Sequence, residues 1–300
     1  MTTITKVALA GAKGNLGEVV LDQLLKAGFQ VTALTRQGSS QTFPSNVSVK
    51  AVDYSSLDSL VNALRGQDAV VATIASAALG QQLLLIEAAA KAGVKHFIPS
   101  EFGCDTLHER TSTLPGYKTK VDVLEYLKKT AAETGLTWTA VFNGPFLDWG
   151  LKVGFLLNVK ERTVEYPDGG NNKFSTTTLE SIGKAVAGVL KNPEQTKNRG
   201  VYVQDAAVSQ RQLAEAVKKV VGADGWKETI TSTQEIYQQG LEEAKKANPN
   251  PGIVFVTTLK PAIWGEGWGS QFEKLDNDLF GIKQLSDEEF QAAVASYVPK

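Results

Sequence analysis

The 300-residue sequence predicts a doubly wound α/β fold, a parallel sheet with helices on both faces, joined to a smaller and mostly helical region. Three observations predict it. A glycine turn, Gly11-Ala12-Lys13-Gly14-Asn15-Leu16-Gly17, stands between an apolar run and an amphipathic one, the strand-turn-helix context that gives such a pattern meaning. Short apolar runs then alternate with helical periodicity for about half the chain, as right-handed strand-helix-strand units require. Beyond residue 150 the alternation stops and helical segments dominate.

In chain order, Val7-Ala8-Leu9-Ala10 reads as the first strand. Leu16, Val20 and Leu24 define the apolar face of the helix after it, with Gly28 as its stop. The three glycines of the turn serve different ends. The first allows a sharp turn off the strand, the second lets backbone approach a pyrophosphate closely, and the third lets the helix pack tightly on the strand. The amides of Asn15, Leu16 and Gly17 have no partner within the helix, and its dipole is positive there, so the turn suits an anion. A second strand, 30–36, ends in Arg36. At that place an acid would bond a ribose 2′-hydroxyl, whereas an arginine suits a 2′-phosphate. Arg36 with Lys13 therefore predicts NADP(H) over NAD, the alternative being a solvated arginine at a strand end.

A strand at 47–52 leads to Asp53, placed either near an adenine or as a turn residue, and to a helix at 57–64. The strand 69–74 contains Thr73 and is followed by small residues that include Ser76; these either admit a cofactor or fit a tight turn. A helix at 81–92 and a strand at 95–99 follow, with His96 as a bonded edge or core residue. In such a sheet ligands sit beyond the carboxyl ends of the strands, which directs attention to Ser100, Glu101 and Phe102. The loop 104–116 is either a flap or a surface insertion. A helix opens at Tyr117, and a sixth strand, 138–142, runs into Asn143-Gly144-Pro145-Phe146-Leu147-Asp148-Trp149. Phe146 and Trp149 pack either on a flat substrate or in a core.

Residues 163–178 read as a hairpin around Asp168-Gly169-Gly170. A helix at 179–191 returns to a strand at 201–203. Helices are expected at 209–221, 234–247, 253–263, 272–280 and 287–297. Trp264-Gly265-Glu266-Gly267-Trp268-Gly269 is either a pocket wall or a glycine linker anchored by two tryptophans. The division expected is a dinucleotide-binding domain over 1–150 with the returning strand, interleaved with a substrate-binding domain over 151–300.

Composition removes several classes. Lysine and arginine total 31 against 32 acids, a net charge of −1, which argues against a nucleic-acid surface or a polybasic membrane patch. Cys104 is alone, so no internal disulfide forms, and two histidines with one cysteine make no zinc site, so no metal is expected. The N-terminal run Met1 to Lys6 leads straight into the first strand, and no apolar run approaches the ~20 residues that span a bilayer; a cytoplasmic protein is expected. Monomer and homodimer stand equal.

The glycine turn has the spacing GxxGxxG, a variant of extended and atypical short-chain dehydrogenase-like domains. Together with Pro99-Ser100-Glu101-Phe102-Gly103, the lysine-bearing helix and Thr137 to Phe146, it resembles the NmrA-like, or isoflavone reductase-like, family over nearly the whole chain. Segments such as Asn192-Pro193-Glu194 and Leu275-Asp276-Asn277-Asp278 resemble its fungal members. The resemblance implies a Rossmann-type fold, NADP(H) and the reduction of an aromatic small molecule. It also implies a proton-handling lysine three residues before an apolar position. Lys120-Val121-Asp122-Val123 fits that spacing best and Lys118 is the fallback. Leu124-Glu125 stands where plant members carry an arginine pair, and Tyr117 with Lys120 does not make the Tyr-x-x-x-Lys pair.

On this reading Gly11, Lys13, Gly14, Asn15, Leu16, Gly17, Arg36, Asp53, Thr73, Ser76, Lys120, Asn143, Pro145 and Phe146 bind the cofactor. Glu101, Phe102, Phe146, Asp148, Trp149, Trp264 and Trp268 meet the substrate, with Lys120 catalytic. Three functions are compatible with it: an NADPH-dependent reductase in secondary metabolism, a redox-sensing regulator that binds NADP without turnover, and a non-redox acid-base enzyme such as a cyclase.

Overall fold

The computed structural model describes residues 3–299; Met1, Thr2 and Lys300 lie outside it. The first half runs β1 (Lys6–Ala10), α1 (Asn15–Lys26), β2 (Gln30–Arg36), β3 (Ser48–Val52), α2 (Leu57–Leu64), β4 (Ala69–Ala72), α3 (Gln82–Lys91), β5 (His96–Ile98), α4 (Lys118–Thr134), β6 (Thr137–Phe142). The second runs α5 (Leu147–Lys152), β7 (Thr163–Pro167), β8 (Lys173–Thr176), α6 (Leu179–Lys191), α7 (Pro193–Thr196), β9 (Arg199–Tyr202), β10 (Ala206–Ser209), α8 (Gln210–Val221), β11 (Lys227–Thr231), α9 (Thr233–Ala244), α10 (Pro251–Trp264), α11 (Asn277–Phe280), α12 (Asp287–Tyr297).

Seven parallel strands form the main sheet in the order β3-β2-β1-β4-β5-β6-β9. Strands covered on both faces need apolar residues at every position, and Val7 to Ala10 and Ala69 to Ala72 are fully buried. Alternate side chains sort into two layers. Val7, Leu9, Val71 and Val201 join α1 and α6 on one face, while Ala8, Ala10, Val70 and Phe142 join α2, α3 and α4 on the other. A third apolar cluster includes Tyr117, Leu151, Tyr166, Phe174, Leu213, Trp264 and Phe290. Among the described residues no helix is long and apolar enough to cross a membrane.

Several elements differ from expectation. Residues 163–178 are not a hairpin, because β7 pairs in parallel with β11 and β8 pairs antiparallel with β10. Asp168, Gly169 and Gly170 all have left-handed backbone, and the Asp168 carboxylate accepts the Thr233 amide at 2.9 Å. The turn therefore anchors the start of α9 instead of folding β7 back on β8. Of 272–280 only Asn277–Phe280 is helical. Arg199 forks onto the Asp276 carboxylate at 2.7 and 3.1 Å and the Tyr202 amide donates to it at 2.9 Å, holding the preceding segment against the edge of β9. The strands β10 and β11 are additions: most of β10 lies ahead of the helix expected at 209–221, and β11 lies in the gap between that helix and the one expected at 234–247. Four of the five β11 residues are exposed, so no apolar alternation marks it.

Candidate functional site

The glycine turn is closed by backbone. Gly11 has φ +83°, and a Cβ there would lie 2.4 Å from the Thr73 carbonyl oxygen; one on Gly17 would lie 2.0 Å from that of Gly11. Thr73 donates its amide and its hydroxyl to the Ala10 carbonyl, each at 2.9 Å, fixing the ends of β1 and β4 against the turn. Gly14 is the N-cap of α1 and no side chain caps the helix, so the amides of Asn15, Leu16 and Gly17 stay open to an incoming acceptor. Lys13 pairs with Glu18 at 3.1 Å and its ammonium lies 5.3 Å from the Phe43 ring centroid. Arg36 is exposed at the end of β2, the strand beside β1. Ser76 is exposed in the 3-10 turn after β4. Asp53 is a turn residue: its carboxylate accepts the Ser55 hydroxyl at 2.6 Å and amide at 2.8 Å, and these bonds hold its pKa below the usual range.

Beyond β5 the chain makes a second turn. Ser100 is tied down from both sides, its hydroxyl donating to the Ile74 carbonyl at 2.9 Å and its amide to the Gln82 side chain at 2.8 Å. Phe102 follows with φ +32°, an uncommon conformation for a bulky residue. There the Glu101 carbonyl meets α4, and the Lys120 ammonium donates to it. The same ammonium lies 5.7 Å from the centroid of the Tyr117 ring. Lys118 turns the other way, 75% exposed and paired with Asp122 at 2.7 Å, so the two lysines have different surroundings. The Glu101 carboxyl is buried and accepts the Thr106 hydroxyl at 2.9 Å. Burial pushes its pKa up, against the pull of the Lys120 charge and the Thr106 hydrogen bond. Tyr117 is buried too, and burial drives its hydroxyl well above the usual phenol range.

After β6, Asn143 is fully buried; its side-chain amide donates to the Gly144 carbonyl at 2.7 Å, while its Oδ1 has no partner in the protein. The Pro145 carbonyl accepts the Thr176 hydroxyl at 2.8 Å. Phe146 and Trp149 meet edge to face at 6.3 Å. The Asp148 carboxylate accepts the amides of Trp149 at 2.8 Å and of Leu179 at 3.2 Å, and so caps α6; burial raises its pKa.

The loop 104–116 is clasped to the glycine-aromatic segment. Arg110 stacks on Trp268 at 4.2 Å and donates to the carbonyls of Glu266 at 3.1 Å and Gly267 at 3.3 Å, while the Thr111 hydroxyl donates to the Trp268 carbonyl at 2.6 Å. Trp264 is buried in the third cluster with its indole N–H on Gln210 at 3.0 Å. Beside the clasp lies a groove of about 700 Å³ lined by Asp105, His108, Lys173, Tyr202 and Phe272 among others. Sequence reasoning did not find Thr106, Arg110 or the Tyr117 ring as parts of the site: Arg110 acts through Trp268, far along the chain, while Thr106 and Tyr117 meet the nearby Glu101 and Lys120 from a loop and a 3-10 turn that carry no period to orient them. The glycines at 265, 267 and 269 were the available signal for the clasp: a Cβ at Gly269 would lie 2.8 Å from the His108 ring.

The sheet order and the backbone cradle after its first strand define a Rossmann-like α/β protein. The model of the NmrA-like family matches residues 3–249, and the chain belongs to that family, as its motifs led one to expect. It is 37% identical over 246 residues to the oxidoreductase aprR of Aspergillus flavus, covering 80% of this chain and 82% of that protein. It is 28% identical over 220 residues to the phenylcoumaran benzylic ether reductase 1 of Arabidopsis thaliana, covering 68% and 70%. Among solved structures it matches AtPrR2, determined with NADP+ and (+)-pinoresinol, with a TM-score of 0.78 at 22% identity, over 99% of this chain and 100% of that one.

Proposed function

We propose that this chain is a cytoplasmic NADPH-dependent reductase of an aromatic or conjugated small molecule in secondary metabolism. The observation that carries the reading is a half-buried amino group, Lys120, held by a backbone carbonyl beyond the strands of a sheet whose first turn is a glycine cradle. The residues present fit a dinucleotide. The cradle has no room for a Cβ at Gly11 or Gly17, α1 has no side-chain cap, and a buried Asn143 oxygen waits for a donor. Support comes from the relatives, which are named as oxidoreductases and reductases.

NADPH, when bound, supplies a hydride. The amides of Asn15 to Gly17 would receive its diphosphate, and Arg36 with Lys13 would face a 2′-phosphate. Asn143 would accept a hydrogen bond from an amide or hydroxyl of the cofactor. Phe146 and Trp149 would offer an aromatic surface to a flat ligand, and the third apolar cluster would form the wall behind it. Lys120 would donate to the oxygen on which negative charge grows as the neighbouring carbon is reduced, and would recover its proton from water.

The test uses NADPH deuterated at C4 with aryl enones, quinones, aldehydes, imines and benzylic ethers, followed by mass spectrometry of the products. Deuterium in a product is the expected result. Product without deuterium would mean acid-base chemistry, and tight NADPH binding with no product would mean a sensor; either overturns the proposal. Lys120→Ala is expected to keep NADPH affinity while kcat falls by roughly 10²–10⁴, and full turnover in that variant would remove Lys120 from its role.

A further inference from the structure

The two bases expected at a nucleotide 2′-phosphate differ in what holds them. Arg36 is exposed at the end of β2 and has no ion-pair partner among the described residues. Lys13 is held twice. Its ammonium donates to Glu18 Oε1 at 3.1 Å and lies 5.3 Å from the centroid of the Phe43 ring. Phe43 is itself packed against the apolar layer that contains Val7, Leu9 and Val20, so the core fixes the ring although it belongs to the loop after β2. Glu18 stands in the first turn of α1, and its amide donates to the Gly14 carbonyl at 3.0 Å. An acid there suits the helix dipole. It also places a negative charge beside the three amides that would receive a diphosphate. The direction of its pairing is the informative part. Asp22, one turn later, pairs along the helix with Lys26 at 2.7 Å, whereas Glu18 pairs backward, out of the helix, with a residue of the glycine cradle.

We infer that Glu18 is a specificity-determining residue of the nucleotide site: it competes with the 2′-phosphate of NADPH for the Lys13 ammonium. A phosphate monoester carries about 1.5–2 negative charges at neutral pH against one for a carboxylate, so the phosphate takes the ammonium, but with less gain than from an unpaired lysine. NADH has no group to offer in exchange and leaves the pair as it stands. The discrimination between the two nucleotides is therefore smaller than Lys13 and Arg36 alone would produce, and Glu18 is at hand to retake the ammonium when NADP+ leaves. Phe43 keeps the ammonium near the cradle whichever anion holds it. The inference rests on the reading of the cradle as an NADPH site and not on hydride transfer.

The experiment measures the Kd of NADPH and of NADH by fluorescence titration of the full chain, at low ionic strength because salt screens an exposed pair. Glu18→Gln removes the charge from a side chain that is 59% exposed and keeps its length. The Kd of NADH is expected to fall about twofold, as a like charge leaves the neighbourhood of the diphosphate. That of NADPH is expected to fall about sixfold. The preference for NADPH thus rises about threefold, within the range of about fivefold that an exposed ion pair can contribute. In a Lys13→Met background the same substitution is expected to leave the preference unchanged. Asp22→Asn, on the same helix, is the control and should move neither constant. An unchanged or lower preference in Glu18→Gln, with NADPH still bound, overturns the competition alone. A threefold rise that persists without Lys13 also overturns it, since the carboxylate would then act on the phosphate directly. Wild-type protein that binds neither nucleotide overturns both the competition and the reading of the cradle. A preference that shifts as expected in a protein that transfers no hydride sustains the competition and removes the reductase reading.

Discussion

The glycine turn after β1 and the lysine seat after β5 lie at the same end of the same sheet, but one is made of backbone and the other of side chains. At the turn, selection acts by exclusion: Gly11 and Gly17 are the residue type that leaves the Thr73 and Gly11 carbonyls unobstructed. At the seat, a lysine, a buried glutamate, a threonine and a tyrosine ring drawn from residues 101–120 meet through hydrogen bonds and charge. A backbone site tolerates no change at its key positions and is indifferent to many changes around it. A side-chain site degrades by steps, because each contact carries a separable part of the function.

Gly17→Ala should therefore produce the largest effect. Its methyl would lie 2.0 Å from the Gly11 carbonyl oxygen, where α1 meets the end of β1, and neither helix nor strand can withdraw without opening a core layer. A loss of roughly 4 kcal/mol is expected, measured by urea unfolding without nucleotide. Gly28→Ala is the control, with φ +89° and open space around the added carbon; it should cost about 1–2 kcal/mol from backbone strain alone. Equal losses in the two variants would erase the contrast between crowding and strain.

The same contrast governs how much was legible in the sequence. The turn, the helix 57–64 and the sheet strands are written locally, in glycine spacing and apolar period. In the structure the first residue of α2 is set by Ser56, whose side chain accepts the Ser59 amide. The choice between Lys118 and Lys120 rested on a family spacing, and no local rule says which of two lysines on one helix turns inward. The structure distinguishes them because the Glu101 carbonyl and the Tyr117 ring are beside one and water is beside the other. Trp264 and Trp268 were ambiguous for a related reason. Their partners Gln210 and Arg110 lie 54 and 158 residues away by subtraction of their positions, beyond the reach of any window of periodicity. The segment 163–178 misled because a Gly-Gly pair marks a turn without saying which strand receives the chain.

His96 extends the comparison to the opposite end of the sheet, where a side-chain cluster serves stability. It is fully buried at the start of β5, with its ring nitrogens 2.8 Å from the Thr137 hydroxyl and 3.1 Å from that of Thr139. Both threonine hydroxyls donate to backbone, Thr139 to the Thr196 carbonyl at 2.7 Å and Thr137 to the Lys95 carbonyl at 2.8 Å. Burial lowers the pKa of the ring from 6.5 to about 4. Stability is complete above pH 6.5. Below it the unfolded chain takes up a proton that the folded ring refuses until about pH 4, and up to about 3 kcal/mol is lost across that window. Urea midpoints from pH 7 to 4 should fall more steeply for the wild-type protein than for His96→Gln. Parallel curves would remove His96 as the cause.

Arg110→Ala should have the smallest effect on stability and the most localised one. Arg110 is exposed, its guanidinium lies 4.2 Å from the Trp268 ring centroid, and two carbonyls accept from it. Stacking and hydrogen bonds of this kind contribute about 1–2 kcal/mol together. The loss falls on a loop, so global unfolding should shift little while 104–116 opens more often. Faster proteolysis confined to that loop, with an unchanged urea midpoint, is the expected result. The conformation next to Lys120 depends on the same loop, because Thr106 lies within it and bonds Glu101. Arg110→Ala is therefore also expected to lower kcat modestly. If the loop is cut faster while kcat stays constant, the clasp and the lysine seat are independent, and the side-chain site consists of two parts instead of one.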